Sequence, residues 1–102
     1  MINGRSIALG WIHPESAALE WDTAQVRRLA RHLGYELVWP PETSRIPLTD
    51  QVRDACADAV ITPSPDHLGI MTLHALMCVT DVETVTPRLS FARWPPPSRP
   101  TS

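Results

Sequence analysis

At 102 residues the chain has the length of one compact domain, and 43% hydrophobic residues are enough for a real core. Charged residues make up 20%, and nine basic residues, all arginine, meet eleven acidic ones for a net charge of −2. These values exclude the disordered regime and argue against autonomous DNA binding. No apolar run approaches the ~18 residues needed to span a bilayer, and no secretory signal opens the chain, so a cytoplasmic location is expected.

Residues 6–12 form an apolar run closed by His13-Pro14 and read as a buried strand. Asp22 with Gln25 three positions on matches a capping box, and Trp21 with Val26 a hydrophobic staple, so a helix is expected to begin there. Val26, Leu29, Ala30 and Leu33 mark its apolar face, and Gly34 is placed to end it. Tyr35 to Trp39 reads as a second strand, stopped by Pro40-Pro41.

Residues 49–56 predict a helix capped by Thr49 or Asp50, with Val52, Ala55 and Cys56 facing inward. Ala59 to Thr62 follows as a third strand. Ser64-Pro65 then supplies an acceptor and a pre-bent first residue for a helix running to Val79. That helix is apolar on more than one stripe, which predicts burial against two neighbours, one of them another subunit. A fourth strand is expected over 82–86, broken by Pro87, with Leu89 to Trp94 as an edge strand or ordered extension.

The order β-α-β-α-β-α-β predicts a small three-layer α/β domain over residues 1–94, with a mainly parallel four- to five-stranded sheet. Residues 95–102 hold four of the eleven prolines and read as an exposed, disordered Pro-rich tail. Trp94 beside it is either stapled onto the core or exposed to a partner. Cys56 and Cys78 match no metal or redox spacing and read as reduced, buried packing residues. No glycine-rich phosphate loop is present, so nucleotide hydrolysis has no support.

Two segments, taken together, resemble the N-terminal catalytic domain of the serine recombinases, the resolvase and invertase family. Gly10-Trp11-Ile12-His13-Pro14-Glu15-Ser16 lies where that family has an aromatic residue, a small or apolar one, arginine, an apolar residue and the nucleophilic serine. Asp58-Ala59-Val60-Ile61-Thr62, followed by Asp66-His67-Leu68-Gly69, resembles its strand and aspartate-arginine-leucine-glycine-arginine motif. Gly34-Tyr35-Glu36-Leu37-Val38 stands at the second strand, and Arg45 at a weakly matched third arginine.

The resemblance implies a resolvase-like fold, and the departures imply a degenerate site. His13 stands at the first motif's arginine, Glu15 at the nucleophile, His67 at the second motif's first arginine and Ile70 at its last; Ser16 is one residue late. Attack on a phosphodiester needs an oxygen nucleophile and fixed guanidinium groups. Histidine lacks the planar fork of donors, and a carboxylate repels phosphate. Neither the long dimer helix nor the DNA-reading helix-turn-helix usual in complete recombinases follows within this sequence. No catalytic residue and no cofactor is therefore expected.

His13, Glu15, Asp66 and His67 all follow the carboxyl ends of predicted strands, where open α/β sheets place ligands, so an alternative is a metal- or anion-binding site in one crevice. The plainer reading makes Asp66 a first-turn acid and both histidines solvent-facing replacements. Ser16 has no sequence-coupled base and reads as a turn residue. Arg27, Arg28 and Arg31 form a basic patch, either a weak nucleic-acid contact or an ordinary solvated helix face. Met71, His74, Met77 and Cys78 read as packing rather than as soft metal ligands. The expected function is that of a non-catalytic domain acting through a protein partner or as a homodimer, associated with a DNA-related system. No small-molecule substrate and no membrane contact is expected.

Overall fold

A computed structural model describes residues 6–40 and 46–93 of the chain. Within them, β1 (Ile7–Gly10), α1 (Leu19–Leu33), β2 (Glu36–Val38), α2 (Leu48–Ala55) and β3 (Ala59–Thr62) alternate, followed by a 3-10 turn over Pro65–His67. Then come α3 (Gly69–Met77), β4 (Asp81–Thr84) and β5 (Leu89–Phe91). The strands lie in the order β2-β1-β3-β4-β5; the first four are parallel, and β5 returns antiparallel along β4. The expected three-layer α/β domain with a mainly parallel sheet is what forms.

Strand alternation sorts the core into two layers. Ala8, Ala59 and Ile61 face α1, where they meet Val26, Leu29 and Ala30. Leu9, Val60 and Val82 face the other way, onto Leu48 and Val52 of α2 and onto Leu68 and Leu76. β3 is buried along its whole length, which is why it reads as an unbroken apolar run ending in threonine. Because β2 and β3 lie on opposite sides of β1, the crossover reverses between β1 and β3, and the loops after those two strands flank a crevice at their carboxyl ends.

Several local expectations are corrected. α1 starts three residues before Asp22: its N-cap is Ala18, with no side-chain cap bond, and Trp21 is 66% exposed, so neither capping box nor staple forms. Ser16 accepts the Ala18 N–H instead (3.2 Å), and this local turn starts the helix early. Gly34, at φ 83°, ends it as expected. α2 begins after Pro47 rather than at a Thr49 or Asp50 cap.

The single helix expected over 65–79 is broken into the 3-10 turn and α3. Gly69 adopts φ 75°, left-handed backbone that interrupts a continuous right-handed helix. Pro65 does open the turn, but Ser64 makes no side-chain cap bond. β4 begins one residue earlier and ends two earlier than expected, and β5 stops at Phe91. Between β4 and β5, the Thr84 hydroxyl donates to the Pro87 carbonyl (2.6 Å) and accepts the Leu89 N–H (3.1 Å), which holds the return of the chain.

Cys56 and Cys78 are exposed, not buried. Each falls at a helix C-cap, Cys56 with φ 53°, so both side chains leave the packed face as their helices end. Within α3 only Leu76 is fully buried, while Ile70 and Met71 are 80% and 81% exposed. The packing reading of Met71, His74 and Cys78 is thereby overturned, whereas Met77 does pack at the core margin. α3 does lie against two neighbours, the sheet and α2, which together cover its Leu76, Leu73 and Met77 side. Arg45, Trp94 and the tail over 95–102 lie outside the described residues. No described helix is long and apolar enough to cross a membrane.

Candidate functional site

The crevice beyond β1 and β3 is organised around His67. Leaving β1, the Trp11 N–H bonds to the Ile61 carbonyl (2.9 Å), and its indole N–H donates to the His67 carbonyl (3.3 Å). The His13 backbone N–H donates to His67 Nδ1 (3.0 Å). With Nδ1 an acceptor, the neutral ring carries its proton on Nε2, a tautomer assigned from the hydrogen-bond network. That nitrogen lies 3.8 Å from Asp22 Oδ2, and the same carboxylate oxygen accepts the Ser16 hydroxyl at 2.5 Å.

His67 separates two clefts. The larger, about 460 Å³, is mainly apolar, with Trp11, Leu48 and Met71 on its walls and His13 at its rim. The smaller, about 290 Å³, is lined by Trp21, Asp22, Gln25 and Ser64 among others. Both histidines thus reach one cleft, but Glu15 and Asp66 are exposed and line neither. The four candidates do not converge, and among the described residues no three His, Cys, Asp or Glu side chains come together to hold a metal ion. The physical reason is the direction of the turns. The Glu15 N–H is folded back onto His13 Nδ1 (3.1 Å), and Asp66 is exposed in the 3-10 turn.

The chemical order of the network is Ser16, Asp22, His67. A carboxylate is interposed between hydroxyl and imidazole, so the imidazole is not placed to accept the serine proton. Ser16 also accepts the Ala18 N–H, which makes it a structural tie at the head of α1. No arginine lines either cleft among the described residues. Sequence reading assigned Asp22 a capping role and missed its place at the centre of this network. The available signal was its spacing of six residues from Ser16, enough for a loop to fold back onto the first helical turn.

A second concave region lies on the opposite flank of α1, along the outer edge of β2. Arg27 and Arg31, one turn apart, face Tyr35, Glu36 and Trp39 across a groove of about 640 Å³. Arg27, Arg28 and Arg31 are all exposed, and Arg28 does not line the groove. The Tyr35 phenol is pushed above its ordinary value of about 10 by partial burial first and then by the negative charges of Asp81, Glu83 and Asp58. Since folding favours the protonated phenol, its stabilising effect is present below the unfolded-state value and is lost as pH rises from there through the folded value. Ultraviolet titration of this sole tyrosine should show ionisation later than in the urea-unfolded chain. Coincident titration curves would contradict the burial and charge described.

The chain matches no known protein-family model, no curated protein and no solved structure.

Proposed function

We propose that this chain is a non-catalytic, recombinase-like domain that acts through protein contacts, pairing with a second copy of itself through the exposed face of α3. The observation that carries the reading is the composition of that face. Ile70, Met71, His74, Ala75 and Cys78 recur at helical spacing, all exposed, and α3 contains no Asp, Glu, Lys or Arg. Solvated helix faces are ordinarily charged, and an uncharged apolar stripe favours burial against a neighbour.

A second copy fits this surface for two reasons. In a two-fold interface each side chain near the axis meets its own counterpart, so any fixed charge there repels itself; α3 offers none. The face also adjoins the apolar cleft, with Met71 and Ala75 on the shared border, so one surface presents both protruding side chains and a recess. The non-catalytic part of the reading is supported by the lack of arginine among the described residues that line the crevice and by the commitment of Ser16 to Asp22 and Ala18.

Sedimentation over a hundredfold range of concentration tests the proposal. The unaltered chain should pass from monomer to dimer, while Met71→Glu and Ile70→Glu should remain monomeric with unchanged far-ultraviolet circular dichroism. Leu19→Ser, which alters an exposed apolar residue away from α3, should leave the dimer intact. A monomer at every concentration overturns self-pairing, and strand scission by the purified chain overturns the non-catalytic assignment.

A further inference from the structure

The groove at the β2 edge combines two features that a solvated helix face does not need. On the helix side, Arg27 and Arg31 are four residues apart and point into one recess. Neither makes an ion pair with any described residue, although carboxylates elsewhere in the chain pair with Arg53 and Arg88. On the strand side, the indole of Trp39 lies over Gly10. A Cβ added at Gly10 would fall 2.6 Å from the ring, so the absence of a side chain on β1 is what seats the indole. Trp39 remains 38% exposed and lines the groove.

A seated aromatic surface beside a pair of uncommitted guanidinium groups suits a ligand that is itself a planar ring joined to an anion. The groove's charge limits that anion. Two arginines and Glu36 sum to +1, which fits one phosphate group and disfavours a polyphosphate. An acidic peptide would use the guanidinium groups and leave the indole without a stacked partner. Simple phosphate would do the same. The volume, about 640 Å³, is in the usual range for a small-molecule site.

We infer that this groove binds a nucleoside monophosphate unit, its base stacked on Trp39 and its phosphate held between Arg27 and Arg31, either as a free nucleotide or as one residue of a single strand. The site lies outside the crevice around His67, and the inference does not depend on self-pairing through α3. Arg28 points elsewhere and takes no part.

Nuclear magnetic resonance titration of the full-length protein tests it, following the Trp39 indole N–H and the Arg27 and Arg31 Nε–H signals. The probes are adenosine 5′-monophosphate, adenosine, inorganic phosphate and a short single-stranded oligonucleotide. The monophosphate should shift all three signals, with adenosine or phosphate alone binding at least tenfold more weakly. The Arg27→Ala/Arg31→Ala double variant should lose at least tenfold in affinity. Trp39→Leu, which keeps apolar cover over Gly10, should lose between about fivefold and a hundredfold. Glu36→Gln should bind a few-fold tighter.

The oligonucleotide arm distinguishes the two sources. Tighter binding than the mononucleotide, weakened about threefold per phosphate contacted as salt rises fourfold, identifies a strand; equal or weaker binding identifies the free nucleotide. Phosphate binding as well as the monophosphate overturns the stacking half of the inference. Shifts that leave Trp39 unmoved, or that persist in the arginine double variant, overturn the site.

Discussion

Replacing Leu76 by alanine should destabilise the monomer by about 2–5 kcal/mol, the usual range for removing a buried leucine side chain. Leu76 is fully buried and is the only residue of α3 that is, lying with Leu9, Val60 and Val82 on one side of the sheet. Its carbonyl also accepts the Val79 and Thr80 N–H groups (2.9 and 2.8 Å), so the same residue fixes the exit of the chain into β4. A domain of this size has a total stability of roughly 5–15 kcal/mol, so the loss is a large share of what holds it folded. Urea denaturation should show a lower midpoint with little change in slope. Ile70→Ala, on the exposed side of the same helix, should change monomer stability by no more than about 0.5 kcal/mol. Equal effects at the two positions would mean that α3 is rotated on the sheet relative to this structure.

The second large effect is expected at Gly10. Gly10→Val brings branched carbon atoms into space held by the Trp39 ring, where even a single Cβ would stand 2.6 Å from it. Gly10 is buried at the end of β1, between β2 and β3, so the backbone cannot easily withdraw. The indole must leave instead. Overpacking of this kind costs about 1–3 kcal/mol. Thermal denaturation should record that loss, and the fluorescence of the variant should show a more solvated tryptophan. A double-mutant cycle separates the clash from any intrinsic effect: in a Trp39→Leu background, Gly10→Ala should cost clearly less than it does beside tryptophan. Strict additivity would contradict the seating of the ring on Gly10. Because that seating also supplies the aromatic wall of the β2 groove, Gly10→Val should weaken nucleotide binding without touching either arginine.

Much of the architecture was legible in the pattern of residues. β3 was found at its true ends because a fully buried parallel strand must be apolar on both faces, and Ala59-Val60-Ile61 is. Gly34 marked the end of α1 because a left-handed residue is what a helix terminus of this kind requires. The helix starts were less legible. Asp22 and Gln25 have the residue types of a capping box, but the loop bond from Ala18 to Ser16 took over the start and released Asp22 to a different partner.

At the candidate site, sequence could place His13 and His67 after adjacent strands but could not say which side chains turn inward. Glu15 and Asp66 belong to the same loops and point away, and Asp22, not suspected from its position, enters. The arginine patch was visible as a charge cluster. Its aromatic counterpart was not, because Trp39 is brought against Gly10 by the pairing of β1 with β2 rather than by proximity along the chain.

The alternation of strands and helices is thus written into residue order, since burial and backbone conformation impose local periodicities and punctuation that the chain records directly. The outward apolar face of α3, the place of His67 between two clefts and the facing of two arginines to a seated tryptophan emerge only when the elements pack. Those arrangements depend on contacts between segments far apart in the chain, and a one-dimensional pattern carries no distance across them.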